Sequence, residues 1–412
     1  MARKRRRKKN LFQRLLSLSA AVLVLGGLIG VASMMLARNR EPAENDSRTE
    51  PEPALSWKPE APEALSSPVH AEWKSSSEGF YYSALSENEQ AVYRTLFDGV
   101  RQYHSEVSLS FSVKEEEMLK ANAALIMDHP EFFWISSSST YYMNTSGAVT
   151  SLVYQTTGNE EAILNEISDI ADEVIAGLPE TEYEAYRYLY DYVINETDYD
   201  MSDAADSQTI TSVFLNKRSV CAGYARAFQY LCQKAGLECI YVTGTARPSN
   251  GTAAGHAWNM IRINDRYYWC DCTWGDPVFE GYSSGEMNYN YFCVSDREIQ
   301  KEHDLETEPS GIHADYPSCT DDSLDWYVLQ KAYFDGYDEE VMRQYLVARA
   351  SEGMTRLVMK FPDAETLSAA ETDLIENEKL FHFLNESGIF CHSLSYVKFD
   401  GISAMWIIIH PD

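Results

Sequence analysis

Three residues of this chain have the types and the spacing for thiol chemistry. Cys221 lies in Ser219-Val220-Cys221-Ala222-Gly223-Tyr224-Ala225, at the head of a stretch that predicts a helix to Ala235 closed by Gly236. A helix N-terminus carries partial positive charge and unpaired N–H groups, and both favour the nucleophilic thiolate over the thiol. The small Ala222 and Gly223 leave space for a substrate, and the Cys221 backbone N–H is a candidate donor to a developing oxyanion. His256 follows in Gly255-His256-Ala257-Trp258, and Asp271 in Trp269-Cys270-Asp271-Cys272-Thr273-Trp274. Asn264-Asp265 between them suits a two-residue hairpin turn that makes Ile263 face Arg266. With both segments continuing as strands, His256 faces Thr273 and Asp271 faces Trp258. His256 and Asp271 then share one sheet face as diagonal neighbours. A one-residue shift of the turn would separate them.

The roles follow from that placement. Cys221 attacks an acyl carbon to form a thioester. His256 takes the thiol proton and returns it to the leaving amine, and Asp271 orients the imidazole. Alone, each residue has a structural reading: a buried small hydrophobe, a carbonyl-satisfied histidine, a solvated cap. Their order and shared face are what favour catalysis. Trp258, Trp274 and Tyr224 are candidate substrate contacts, and Tyr267, Tyr268 and Trp269 are candidates for an acyl-acceptor groove. His303 reads as a surface or capping residue. Cys270-x-Cys272 lacks a second ligand pair for zinc, so no metal and no cofactor are expected.

The elements that must position these groups are helices at Glu160–Ile175 and Glu182–Ile194, the Cys221 helix, and strands at Cys239–Ala246, His256–Ile263 and Tyr267–Trp274. Upstream, Ser86-Glu87-Asn88-Glu89 has the form of a capping box, a helix runs Lys114–Met127, and strands fill Glu131–Gln155 around a turn at Ser146-Gly147. Downstream, helices are expected at Glu339–Ala350 and Ala364–Leu384, with strands at Arg356–Phe361, Leu394–Phe399 and Ile402–His410. Eight cysteines all fall at or after Cys221. With Cys221 as a nucleophile, the other seven cannot all pair internally.

The 412-residue chain carries a net charge of -29, unevenly distributed. Residues 1–40 hold ten Lys/Arg and no acid, leaving 24 basic and 63 acidic residues beyond them. So acidic a body lacks the basic face that nucleic acid requires. Arg3 to Lys9 are all basic, and Leu15–Ala37 is an uncharged apolar run, long enough at about 35 Å to cross a bilayer as a helix. The heavier basic flank places the N-terminus in the cytoplasm and the remainder outside it. The expected organisation is a basic cytoplasmic segment (1–14), a transmembrane anchor (15–37) and a disordered linker (38–68). An N-terminal α+β module (69–158), a catalytic domain (159–317) and a C-terminal α+β module (318–412) follow.

The segments around Cys221 and His256, with Tyr267-Tyr268-Trp269-Cys270-Asp271-Cys272-Thr273-Trp274, resemble the transglutaminase-like superfamily over roughly residues 160–305. The resemblance is close to the bacterial transglutaminase/protease-like group that includes proteins likened to a cytokinesis factor. It implies an α+β, papain-like core, with the nucleophile helix packed on an antiparallel sheet that carries His256 and Asp271. It also implies a peptidase, amidase or protein cross-linker acting on amide bonds of a protein or peptide substrate; the expected placement beside an envelope makes envelope proteins or wall peptides the candidates. No calcium-loop pattern accompanies the motifs. The alternative is a non-catalytic, membrane-anchored scaffold that binds an envelope or division partner.

Overall fold

A computed structural model describes residues 7–10, 79–135, 139–202, 207–248, 251–276 and 287–411. The expected anchor (15–37) and linker (38–68) lie outside these residues. Among the described residues, no helix is long and apolar enough to cross a membrane. The described chain divides into two compact units, residues 79–325 with Arg7–Asn10 and residues 326–411.

The first unit is built on a five-stranded antiparallel sheet in the order Phe292–Val294, Arg266–Cys270, Ala254–Ile263, Cys239–Ala246, His303–Leu305. The expected hairpin register is present: Ile263 faces Arg266, and the ladder runs in step to Asn259 facing Cys270. Asn264 (φ 54°) and Asp265 (φ 63°) both adopt left-handed backbone, which their short polar side chains tolerate and which a two-residue turn between twisted strands requires. The ladder then stops earlier than expected. The Asp271 side chain accepts hydrogen bonds from the Thr273 and Trp274 backbone N–H groups, so Cys272–Gly275 forms a helical turn where a strand was read.

Helix Cys221–Lys234 packs on this sheet through Tyr224, Ala225, Phe228, Leu231 and Cys232, all buried. It ends in the expected glycine cap. Gly236 takes φ 76°, Leu237 N–H donates to the Cys232 carbonyl, and Gly236 N–H donates to that of Gln233. The Asn259 side-chain amide, buried in the sheet, donates to the Ala225 carbonyl at 3.0 Å and pins helix to strand. Helix Glu182–Asn195 braces the assembly: the Tyr186 hydroxyl donates to the carbonyls of Glu238 (2.8 Å) and Arg262 (3.0 Å).

The N-terminal elements belong to the same compact unit. Helices Glu87–Val100 and Glu115–Asp128 form, with Glu89 accepting from the Ser86 N–H and Glu117 from the Lys114 N–H. Asp128 is buried and accepts from the Tyr81 and Tyr82 N–H groups and the Tyr93 hydroxyl; burial raises it to about 6 against those bonds. The Tyr81 hydroxyl donates to the Tyr241 carbonyl, and Gln229 to that of Met127, tying these helices to the central sheet. Strands Ser139–Met143 and Val149–Tyr154 form as read. They are joined by Glu106–Val113, a strand that alternates Val107, Leu109, Phe111 and Val113 and was not read as one. The backbone of Arg7–Asn10 pairs with Ser139–Met143.

In the second unit, strands Arg356–Lys360, Ala404–Pro411 and Cys391–Phe399 make an antiparallel sheet covered by an apolar cluster that includes Met342, Leu346, Met359, Leu374 and Ile407. The single helix expected over Ala364–Leu384 is broken. Ala364–Glu371 passes through a wide turn at Thr372–Glu376, and Glu378 at φ 58° restarts the chain as Lys379–Glu386. Cys319, read as the start of this unit, is held in the first by reciprocal backbone and side-chain bonds with Asp296.

Candidate active site

Cys221 opens its helix after Val220, whose extended backbone leaves the first helical N–H groups without intrahelical acceptors. Cys221 is close enough to His256 for its side chain and charge to raise the imidazole. His256 Nε2 is 2.6 Å from Asp271 Oδ2, which leaves Nδ1 for the thiol. The structure thus bonds His256 to Asp271 and sets both near Cys221.

Asp271 is fully buried and satisfied on both oxygens. Oδ1 accepts from Thr273 N–H (2.8 Å) and Trp274 N–H (3.1 Å), and Oδ2 faces two imidazoles. Burial alone would raise its pKa; the charge and hydrogen bonds of His256 and His303 hold it well below the usual carboxylate range. For His256, burial pushes down, but the Asp271 charge and hydrogen bond, then the contact with Cys221 and its charge, push up to about 10. The net direction favours the protonated imidazole beside the Asp271 carboxylate.

Asp271 is held from beneath. The Tyr190 hydroxyl donates to the carbonyls of Asp271 (3.3 Å) and Asn288 (3.0 Å). Only glycine fits at 275, because a Cβ there would stand 1.7 Å from the Tyr190 hydroxyl oxygen. Gly244, opposite His256 in the ladder, likewise admits the Asp304 carbonyl and the Trp258 ring, which a Cβ would meet at 2.2 and 2.7 Å.

The three residues expected to contact substrate are buried. Tyr224 is buried, its hydroxyl given to the Thr197 carbonyl (2.8 Å) and to Asp276 (2.7 Å). Trp258 and Trp274 are buried as well and wall the imidazoles, Trp258 stacking on His256 at 5.8 Å and Trp274 lying 4.6 Å from His303. The hydroxyls of Tyr267 and Tyr268 and the indole N–H of Trp269 bond Glu238, Asp321 and Asp296, which anchors them structurally. Gly223 does not open a substrate path: a Cβ there would meet the Ser219 and Ser212 hydroxyls inside the protein.

The residue that sequence reasoning misplaced is His303. It is buried, with Nε2 3.0 Å from the same Asp271 oxygen that His256 uses. Tyr199 and Tyr241 were also missed. Burial, and further the charge of Cys221, raise both hydroxyls. Tyr199 follows a helix in the sequence and Tyr241 lies in a strand start buried on both faces, so nothing local singles out either. Cys270 and Cys272, on either side of Asp271, are buried thiols that burial pushes up, Cys270 to about 12. Among the described residues, His256, Asp271 and His303 are the group whose ligand atoms, within 4.8 Å of one another, could share an ion. Both imidazoles already spend Nε2 on Asp271, so the three satisfy one another through protons.

Residues 168–273 match the family model of the transglutaminase-like superfamily. That stretch is a transglutaminase-like core, and it contains Cys221, His256 and Asp271 but not His303. Human kyphoscoliosis peptidase is 27% identical over 127 residues, and its mouse counterpart 28% identical over 133. These alignments cover 27% and 29% of this chain, and the chain spans only 19% of the length of either relative. A solved structure of a TGase aligns with 36% of this chain and 45% of its own at 14% identity, with a TM-score of 0.26.

Proposed function

We infer that the first unit is a thiol enzyme acting on amide or peptide bonds, with Cys221 as nucleophile, His256 as proton carrier and Asp271 as its orienting carboxylate. The observation that carries this reading is the His256 ring, bonded to a fully ionised, four-times-bonded Asp271 on one side and reaching the helix-terminal Cys221 thiol on the other. The thiolate attacks the acyl carbon, and the imidazolium Nδ1 proton passes to the departing amine. Water or a second amine then resolves the thioester. The word peptidase in the relatives' name favours water as that acceptor. A protein or peptide of the cell envelope is the substrate class, because Leu15–Ala37 is apolar enough for a membrane anchor and the acidic body follows it. An anchored, exported state requires Arg7–Asn10 to leave its pairing with Ser139–Met143. Crosslinking cysteines placed at positions 8 and 142 in cells separates the two arrangements.

Incubating the full chain with a glutamine-containing protein, with and without a labelled amine, tests the reaction. Peptide cleavage or deamidation that vanishes in Cys221→Ala supports hydrolysis, and Cys221-dependent amine incorporation supports cross-linking. Neither product under conditions where Cys221 is alkylated rapidly would contradict an amide-directed enzyme and favour a binding scaffold.

A further inference from the structure

We propose that His303 is a positioning residue, a second histidine that holds the Asp271 carboxylate in the orientation His256 needs. This rests on the triad reading above and adds to it a residue outside the transglutaminase-like match.

The geometry is specific. His303 opens the strand His303–Leu305, which pairs antiparallel with Cys239–Ala246 at the opposite edge of the sheet from Phe292–Val294. Its side chain is completely buried, with Nε2 3.0 Å from Asp271 Oδ2, the atom that also bonds His256 Nε2 at 2.6 Å. Four rings fix its plane: Trp274 at 4.6 Å, Trp258 at 5.0 Å, Tyr291 at 5.3 Å and His256 at 5.4 Å. The charged and titratable groups that face it are Asp271, His256 and Tyr291, the last bonded to Glu302.

The two histidines divide the work. Burial, together with the positive charge of His256, pushes His303 down against the pull of Asp271, while His256 is pushed up to about 10. One carboxylate cannot support two buried imidazolium ions without one of them lying in apolar surroundings unpaired. His303 therefore stays neutral with its proton on Nε2. It donates to Oδ2 without competing for the ion pair, and with the Thr273 and Trp274 amides it leaves Asp271 no freedom to rotate away. Its bulk also closes the far side of the carboxylate to water, which strengthens the pair with His256.

The test uses the full chain with His303→Gln, whose amide N–H can occupy the Nε2 position, and His303→Phe, which keeps an aromatic volume and removes the donor. Alkylation of Cys221 is followed from pH 5 to 9 by mass spectrometry, with His256→Ala alongside and thermal melting as a check on folding. His303→Phe is expected to slow alkylation at pH 6 by roughly 10- to 100-fold, the worth of one hydrogen bond to a charged group, and to shift the thiol titration upward. His303→Gln is expected to restore most of the wild-type profile. A Phe variant with the wild-type profile overturns the proposal and leaves the triad standing, provided His256→Ala still slows Cys221. Equal losses in both variants, with equally lowered melting, reduce His303 to a structural residue. A wild-type Cys221 that reacts no faster at pH 6 than Cys391 removes the triad itself, and the proposal with it.

Discussion

The two units bury their centres in opposite ways. In the second, the sheet faces its helices with Leu357, Met359, Met405 and Ile407, and the interior is an apolar cluster of ordinary kind. In the first, the sheet carries an ionised carboxylate and two imidazoles that both bond it through Nε2. Buried ionisable groups cost more than well-packed hydrophobic ones of similar volume. The fold keeps them at its centre and supports them with Gly275, Tyr190 and Gly244, and the proposed thiol chemistry gives that cost a purpose. The second unit also buries a charged side chain, Lys360 over the Tyr327 ring, but the first gathers an acid and two imidazoles on one another, which makes that cluster the place to look for function.

The comparison breaks most sharply at the triad. Cys221→Ala is expected to abolish turnover. His256→Ala should lower kcat by about 100- to 10,000-fold, with little change in thermal melting for the cysteine variant. In the second unit, Ile407→Ala should cost about 2–5 kcal/mol of stability by leaving a cavity, while Cys221 keeps its alkylation profile; loss of that profile would mean the two units are not separable. Between these lies Gly275→Ala, which drives a Cβ into the Tyr190 hydroxyl. A cost of about 1–3 kcal/mol from overpacking is expected in denaturant unfolding, together with a slower Cys221, because the displaced Tyr190 also holds the Asp271 carbonyl.

The smallest effect is in the pH dependence of stability. His256 is raised from 6.5 to about 10, so its contribution is fully present below about pH 6.5 and is lost as pH rises toward 10. Asp271 is lowered, so its contribution is present above its ordinary value of 3.8 and is lost as the solution becomes strongly acidic. The stability gap between the wild type and His256→Gln should therefore be widest between about pH 4 and 6.5 and should narrow by pH 10, measured by chemical denaturation. A gap that widens with pH would reverse the assigned protonation of His256.

Features encoded locally were legible in the sequence. The Cys221 helix has its small-residue start and Gly236 stop, and Asn264-Asp265 dictates the turn and hence the register. The pairing of His256 with Asp271 followed from that register, yet Asp271 reaches it as a helix cap rather than a strand residue. The alternation through Cys270, Cys272 and Trp274 hid the capture of two backbone amides by the Asp271 side chain. Tyr224 follows the nucleophile by three residues, and helical phase turns it inward, which the motif alone did not reveal. His303 reaches Asp271 only through a strand pairing between residues nearly sixty positions apart, as in His303 with Ala246. No short-range pattern encodes that contact.

The most direct test of the account is the rate at which Cys221 is alkylated in the full chain at pH 6, site by site, with and without His256. A thiolate held by an imidazolium should react well below the unperturbed thiol value of about 8.5, far faster than Cys232, Cys270, Cys272, Cys293 and Cys319, whose pKa values burial pushes up. That advantage should disappear in His256→Ala. A Cys221 as inert as those buried thiols, or one indifferent to the loss of His256, would contradict the catalytic reading of the site.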